Sequence, residues 1–178
     1  KVLEVGCGTG ANLWFLSKNN FQTFGIDGSV VALKSAKKLL REFNSDAKLT
    51  KGDIISLPYK DNTFDLIIDM ECIYSNSEFH TKKILDEIHR VMKPGSQFLS
   101  ISFSTKTTGY NSGKRYKNEK NTFTGLKNGP LKKDYSLIRF LDKGSIKRIY
   151  SNFKILNIDK VSRTYNNLFN NIEEWVIS

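Results

Sequence analysis

Short apolar runs alternate with amphipathic segments along most of the chain. The apolar runs have the length and composition of buried strands, and they are Val2–Val5, Thr23–Asp27, Ala47–Ile54, Phe64–Asp69 and Gln97–Phe103. Apolar residues at helical spacing lie between them, in Ala11–Asn19, in a segment capped by Ser29, and in Phe79–Met92. This order predicts an α/β, doubly wound fold: a mostly parallel sheet with helices on both faces. A helix at Asp142–Ser151 and two further strands, Lys154–Ser162 and Glu173–Ile177, are predicted to follow.

The first strand runs directly into three glycines, in the sequence LEVGCGTG at Leu3–Gly10. A glycine loop between a strand and a helix lets a nucleotide approach the backbone at the carboxyl ends of the strands. Asp27 ends the second strand, where a carboxylate can accept hydrogen bonds from ribose hydroxyls of either NAD or S-adenosylmethionine (SAM). Glu4 favours SAM, because a pyrophosphate disfavours a nearby anion whereas SAM carries an ammonium and a sulfonium.

Length and composition fit one globular domain over residues 1–178, since the chain has 178 residues of which 39% are hydrophobic. The sequence has no run of 18 apolar residues, and it begins on the first strand without a leader pattern. We therefore expect no membrane span and a cytoplasmic location. The two cysteines, Cys7 and Cys72, lack zinc or redox spacing, so we expect no metal site.

Positive charge is concentrated in the C-terminal part of the chain. The formal net charge is +10, and residues 105–178 hold 15 Lys and Arg against 6 Asp and Glu. The excess is densest in Lys106–Lys133, where Glu119 is the one acid. The stretch is too long for an ordinary connection, so we predict a basic substrate-side insertion or lid at residues 105–135. Such a segment could attract an anionic substrate, or it could be a hydrated lysine loop.

Four motifs in order resemble the class I SAM-dependent methyltransferases, in particular the bacterial small-molecule branch called type 11. They are LEVGCGTG, GIDGS at Gly25–Ser29, KGDIISLPYKDNTFDLIID at Lys51–Asp69, and EIHRVMKPGS at Glu87–Ser96. The resemblance covers nearly the whole chain. It implies a Rossmann-like, seven-stranded sheet with an antiparallel C-terminal strand pair, and SAM as the cofactor.

The same resemblance implies a role for twelve residues. The methionine end of SAM would be held by Glu4, Gly6, Cys7, Gly8 and Gly10, with Asp69 and Met70 beneath it. Asp27 would accept from the ribose hydroxyls, and Gly28 and Ser29 would border the adenine. Asp53 would accept from the adenine amino group while the Ile54 amide meets the ring, a pairing of one acceptor with one donor that suits adenine.

Two features depart from the family pattern. Ser96 stands where the family usually has glycine. Family members also carry helical sequence before the first strand, and this segment closes over SAM. The present chain starts at Lys1, on that strand, so we expect the N-terminal lid segment to be missing from it.

The catalytic residues are not assigned by the resemblance. Methyl transfer is an in-line displacement in which alignment and exclusion of water can supply much of the barrier reduction, so a dedicated base is optional. Weak candidates near the end of the fourth strand are His80, Tyr74 and Glu71.

The methyl acceptor is predicted by elimination. The segment after the fourth strand lacks the Asp/Asn-Pro-Pro-aromatic motif of base amino methyltransferases, and Cys72 follows Glu71 and not Pro or Thr as in cytosine C5 enzymes. A small molecule, a sugar or a lipid intermediate remains, with an O, N or C nucleophile. The basic segment favours an anionic one.

Two functions of other classes stay open. An NAD(P)-binding oxidoreductase would share the glycine loop, although Asp53 and Ile54 after the third strand stand against it. A non-catalytic nucleic-acid-binding module on the same fold would use the basic segment and bind in a salt-dependent way. The lysines lack the arginine and aromatic interleaving of a base-stacking surface, so we do not expect a nucleic-acid partner.

Overall fold

The structure is a computed structural model that describes residues 1–132 and 136–178. Residues 133–135, which end the predicted insertion, lie outside the described residues. The chain divides into two units, of which the first comprises Lys1–Met70 and Ile84–Leu99 and the second comprises Glu71–Lys83 and Ser100–Ser178. A single domain over residues 1–178 stays a prediction.

The described elements alternate in the predicted order. The strands are β1 (Val2–Val5), β2 (Thr23–Asp27), β3 (Lys48–Lys51), β4 (Phe64–Met70), β5 (Met92–Phe103), β6 (Lys114–Arg115), β7 (Thr122–Thr124), β8 (Ile138–Arg139), β9 (Ile158–Tyr165) and β10 (Asn170–Ile177). The helices are α1 (Ala11–Lys18), α2 (Val30–Glu42), α3 (Glu78–Val91) and α4 (Lys143–Ile149), with a short 3-10 helix at Ile73–Ser75.

Seven strands form one sheet in the order β3-β2-β1-β4-β5-β10-β9. β1 pairs in parallel with both β2 and β4, and β2 pairs in parallel with β3. β10 pairs antiparallel with β5 and with β9. The predicted fold class is therefore confirmed: a mostly parallel, seven-stranded sheet with an antiparallel C-terminal strand pair.

Most boundaries in the first unit agree with the periodicity. Ser29 caps α2 as predicted, since its Oγ accepts a hydrogen bond from the amide of Ala32 at 3.2 Å. The buried faces of α1 and α2 carry Leu13, Ala36 and Leu40, as expected from apolar residues at helical spacing.

Two strand boundaries in the first unit were predicted wrongly. β3 covers Lys48–Lys51 and not Ala47–Ile54. The Gly52 amide continues the β2–β3 ladder by donating to the Asp27 carbonyl at 3.2 Å, and Asp53 Oδ1 then accepts from the Ile55 amide at 3.0 Å, which turns the chain. β5 begins at Met92 and not at Gln97.

The basic segment is folded in the second unit. β6, β7 and β8 form a small antiparallel sheet that the sequence analysis did not predict. Its apolar side chains belong to a buried cluster of Phe103, Phe123, Leu126, Ile138 and Phe140. Lys114 and Arg115 form β6, whereas the other described lysines of the segment lie in turns and bends between these strands or beside them.

A buried asparagine connects this segment to helix α4. Asn121 is 7% exposed, and its Oδ1 accepts from the Tyr110 hydroxyl at 2.9 Å. Its Nδ2 donates to Asp142 Oδ2 at 3.1 Å and to Ser145 Oγ at 3.2 Å. Asp142 also caps α4 through the Ser145 amide, and these hydrogen bonds lower the pKa of its carboxyl. Satisfied buried polar groups of this kind favour one packing arrangement.

The C-terminal hairpin is displaced from the predicted strands: β9 begins at Ile158 and not at Lys154 and ends at Tyr165 and not at Ser162, while β10 begins at Asn170 and not at Glu173. β9 and β10 pair over eight residues each, from Ile158 opposite Ile177 to Tyr165 opposite Asn170. Of the helices among the described residues, none is long and apolar enough to cross a membrane.

Replacing Phe123 with alanine tests whether the basic segment belongs to the folded core. Phe123 is 1% exposed, so the exchange should lower the free energy of unfolding by about 3–5 kcal/mol in urea denaturation. The same exchange at Phe79, which is 65% exposed, is the matched control. A Phe123→Ala protein as stable as the control would show that the segment does not contribute to the core.

Candidate functional site

The glycine loop connects β1 to α1 with three residues in the left-handed region. The φ angles of Gly6, Gly8 and Gly10 are +69°, +50° and +84°. At Gly10 a Cβ would lie 2.9 Å from the Ala36 Cβ, so glycine allows α1 to begin close to α2. At Gly8 a Cβ would have no described atom within 4 Å. The backbone at Gly8 therefore faces open space, as a loop that receives a ligand does.

Asp27 holds this loop in place. Its Oδ2 accepts a hydrogen bond from the Gly8 amide at 2.8 Å, and its Oδ1 accepts from the Ser29 amide at 2.7 Å. The carboxylate thereby connects the loop after β1 to the turn after β2. Each carboxylate oxygen has a second lone pair, so Asp27 keeps the capacity to accept from a ligand.

The loop after β3 lies beside the same residue. The Gly52 amide donates to the Asp27 carbonyl at 3.2 Å, and a Cβ at Gly28 would lie 3.9 Å from the Gly52 carbonyl oxygen. Asp53 and Ile54 follow directly; Asp53 is exposed, and Ile54 is 9% exposed. The residues predicted to border the adenine are therefore brought close to the residue predicted to bind the ribose.

Arg90 fixes the remainder of this loop against α3. Its guanidinium donates to the Leu57 carbonyl at 3.0 Å, to the Tyr59 carbonyl at 2.8 Å and to Asp61 Oδ1 at 2.7 Å. It also pairs with Glu87, whose Oε2 accepts from the Leu57 amide at 2.8 Å. The Arg90 guanidinium lowers the pKa of the Glu87 carboxyl.

Glu4 is a buried carboxylate at the base of the glycine loop. It is 2% exposed; its Oε1 accepts from Asn12 Nδ2 at 2.7 Å, and its Oε2 is buried without a hydrogen-bond partner among the described residues. The pKa of the Glu4 carboxyl is raised from 4.5 to about 7, chiefly by burial; the hydrogen bond from Asn12 lowers it, and the negative charges of Asp69 and Asp27 raise it. A buried carboxylate oxygen without a hydrogen-bond partner can accept a hydrogen bond from a cationic group of a ligand.

Asp69 and Met70 end β4 in different surroundings. Asp69 is fully buried and lies opposite Val5 in the β1–β4 register. Met70 is half-buried and packs against a cluster of Val2, Leu16 and Ile68. Asp69 thus lies at the strand ends with Glu4 and Asp27, whereas Met70 contacts the hydrophobic core.

Cys7 contributes packing rather than a reactive thiol. Its side chain lies in a cluster with Leu13 and Leu40, and a Cβ at Gly25 would lie 2.8 Å from its Sγ. Burial raises the pKa of the Cys7 thiol to about 12, with further contributions from Glu4 and Asp27. Its amide already donates to the Ile26 carbonyl at 3.0 Å.

The three predicted catalytic candidates belong to the second unit. Glu71 is exposed and has a φ of +59°, which is uncommon for a residue with a side chain and is typical of functional positions. Tyr74 is half-buried and packs edge-on against Phe103 at 4.9 Å between ring centroids. His80 is exposed in the first turn of α3.

Two residues were missed by the sequence analysis. Asn12 donates a hydrogen bond to Glu4. Its position in the first turn of α1, directly after the glycine loop, is the sequence feature that could have indicated this contact. Arg139 is 3% exposed and donates to the Ile73 carbonyl at 3.2 Å, to the Asn76 carbonyl at 2.6 Å and to Thr81 Oγ1 at 2.5 Å. It thereby fixes the segment that carries Tyr74, and no local pattern announces that long-range contact.

Comparison with known proteins identifies the family. The sequence model of a family described as methyltransferase domain matches residues 1–163. The chain belongs to this family, so the predicted resemblance is confirmed.

Two curated relatives each match part of this chain. Norajmaline N-methyltransferase of Rauvolfia serpentina is 32% identical over 106 residues, which are 58% of this chain and 36% of that protein. Demethylmenaquinone methyltransferase of Tropheryma whipplei is 34% identical over 105 residues, 58% of this chain and 42% of that protein. The matched part is less than half the length of either relative.

A solved structure extends the likeness of fold to the whole chain. A SAM-dependent methyltransferase of Methanosarcina mazei superposes with a TM-score of 0.83 over 99% of this chain and 89% of that one, at 20% sequence identity. At this identity the likeness establishes the fold, which is Rossmann-like as predicted.

Replacing Glu4 with glutamine tests its raised pKa. Glu4 ionises near pH 4.5 in the unfolded protein and near pH 7 in the folded protein. Between these pH values its carboxyl is therefore protonated in the folded protein and ionised in the unfolded one. Its contribution to stability therefore falls as the pH rises from 4.5 to 7. Relative to wild type, Glu4→Gln should gain about 3 kcal/mol of unfolding free energy between pH 4.5 and pH 8. Urea denaturation across this range measures the difference, with Glu42→Gln at an exposed position as the control. A constant difference would contradict the assignment.

Proposed function

We propose that this chain binds SAM at the carboxyl ends of β1 to β4 and catalyses methyl transfer to a small molecule, a sugar or a lipid intermediate. The observation that carries the proposal is the buried Glu4 Oε2 beside the glycine loop, without a hydrogen-bond partner among the described residues. A carboxylate at this place repels a pyrophosphate and attracts the ammonium group of SAM. Membership of the methyltransferase family supports the same cofactor.

The proposed roles follow the positions of the residues. Glu4, Asp69 and the backbone of Gly6, Gly8 and Gly10 bind the methionine end, because they lie in the glycine loop or at the strand ends below it. Asp27 accepts from the ribose hydroxyls through its remaining lone pairs. Asp53 accepts from the adenine amino group, while Gly28, Ser29 and Ile54 border the ring. Cys7 and Met70 act through packing beneath the site.

SAM, when bound, supplies a methyl group on a positively charged sulfur, which leaves as S-adenosylhomocysteine once the acceptor atom has taken the methyl. The residues of the chain align the two reactants and exclude water, effects that together reduce barriers by roughly 7–11 kcal/mol. A base is needed only where the acceptor must lose a proton. Glu71, Tyr74 and His80 are the candidates, and the left-handed backbone of Glu71 favours it among the three.

The proposed acceptor is anionic. The basic segment at 105–135 supports this, because lysines flank a folded core there and raise the local concentration of anions. We propose that the segment is a substrate-side insertion. The relatives are named for norajmaline and demethylmenaquinone, which supports an organic acceptor of low molecular mass or a lipid. We also propose a cytoplasmic location.

Calorimetric titration with S-adenosylhomocysteine, with NADH run in parallel, tests the proposed cofactor. We expect binding of the former alone, since only it carries an ammonium that can pair with Glu4. Transfer of labelled methyl from SAM to an anionic metabolite fraction would then test the reaction. Binding of NADH alone would overturn the proposal.

Replacing Asp53 with alanine separates the adenine contact from the integrity of the loop. Asp53 is exposed, and its side chain accepts a hydrogen bond from the nearby Ile55 amide, whereas the side chain of Asp27 bonds two loops. We expect affinity for S-adenosylhomocysteine to fall on the order of tenfold, as for one hydrogen bond to a charged group. Asp46→Ala, an exposed acid before β3, is the control and should bind as wild type does. Equal affinity of both variants would contradict the role of Asp53.

A further inference from the structure

β9 is an open edge of the seven-stranded sheet. It is the last strand in the order, with β10 as its neighbour. All six residues between Ile158 and Tyr165 are exposed. An edge strand of eight residues presents unpaired backbone groups on its outer side, which can pair with another strand.

One face of β9 carries charges of both signs around an apolar residue. Side chains alternate along a strand, so Asp159, Val161 and Arg163 lie on the same face. Val161 is 52% exposed. Within residues 1–132 and 136–178, Asp159 and Arg163 form no ion pair. Their charges are therefore available to a partner.

We propose that β9 pairs antiparallel with β9 of a second copy of this chain, with Val161 at the two-fold axis. In this register Val161 lies opposite Val161 of the second copy. Asp159 lies opposite Arg163 of the second copy, and the symmetry repeats the pair. Opposite charges directly across a strand pair stabilise it, and an interface with two-fold symmetry uses each such pair twice.

Neighbouring registers are less favourable. The outward backbone groups of the two strands face each other again only when one strand slides by two residues along the other. Each residue then lies opposite a residue two positions further along the second copy. In one direction this places Lys160 against Lys160 of the second copy. In the other it places Val161 against Arg163. The pattern Asp-x-Val-x-Arg therefore selects one register.

The opposite face of β9 does not oppose this pairing. Lys160 is the charged residue there, and it lies over the Trp175 ring at 5.4 Å and pairs with Glu173 at 3.3 Å. In the proposed register Lys160 faces Ser162 of the second copy. Its charge is already compensated within its own chain.

Exposed apolar residues lie at both ends of the strand. Leu168 and Phe169, at the tip of the hairpin, are 79% and 83% exposed, and Leu156, which precedes β9, is 54% exposed. In an antiparallel pair the tip of each hairpin lies beside the residues that precede β9 in the second copy. The pairing therefore brings the tip close to Leu156 of the second copy and removes apolar surface from water.

Sedimentation velocity of the full chain and of charge-reversed variants tests this dimer. We expect a concentration-dependent dimer for wild type. Asp159→Arg and Arg163→Asp should each raise the dissociation constant on the order of tenfold, because like charges then face each other twice. The double variant Asp159→Arg/Arg163→Asp restores opposite charges and should restore the dimer.

Asp46→Arg, the same charge reversal at an exposed position of the first unit, is the control. Circular dichroism of each variant checks that the fold is retained. A wild-type protein that stays monomeric up to about 100 µM, where weak specific interfaces still associate, would overturn the proposal. A dimer that both single reversals leave intact would overturn it as well.

Discussion

Asp27 connects the three loops on which the candidate site depends. It accepts from the amides of Gly8 and Ser29, and the carbonyl of the same residue accepts from Gly52. The loops after β1, β2 and β3 therefore meet at one position. A Cβ at Gly8 would touch no described neighbour, so the hydrogen bond that the Gly8 amide donates to Asp27 Oδ2 is the described contact that fixes this amide. Charge-assisted bonds of this kind are strong enough to order a glycine-rich loop before a ligand arrives.

Glu4 lies below the glycine loop, and burial is the main cause of the raised pKa of its carboxyl. The carboxyl lies under the loop with one oxygen bonded to Asn12, and burial together with Asp69 and Asp27 holds its pKa near 7. A neutral Glu4 is tolerated in the free protein, and a cationic ligand favours the ionised form. The site is thus arranged to exchange a proton for a positively charged ligand, which agrees with a methyltransferase fold and with the proposed use of SAM.

The sequence predicted those parts of the molecule that local periodicity controls. The glycine loop, the Ser29 cap and the order of strands and helices follow from short-range patterns. The small sheet depends on Phe123 and Ile138 packing with Phe103. Such contacts join residues far apart in sequence, and a lysine-rich composition concealed them. At the site, the position of Asp27 was predictable from its spacing, whereas its two bonds to backbone amides were not.

Proton release on ligand binding tests the central claim most directly. Titration of the chain with S-adenosylhomocysteine at pH 7, in two buffers of different ionisation enthalpy, gives the number of protons released per ligand bound. Because Glu4 is about half protonated at this pH and ionises against the ligand's ammonium, we expect about half a proton to be released. The value should fall to zero in Glu4→Gln. Binding without proton release in the wild-type chain would contradict a role for Glu4 in holding a cationic ligand.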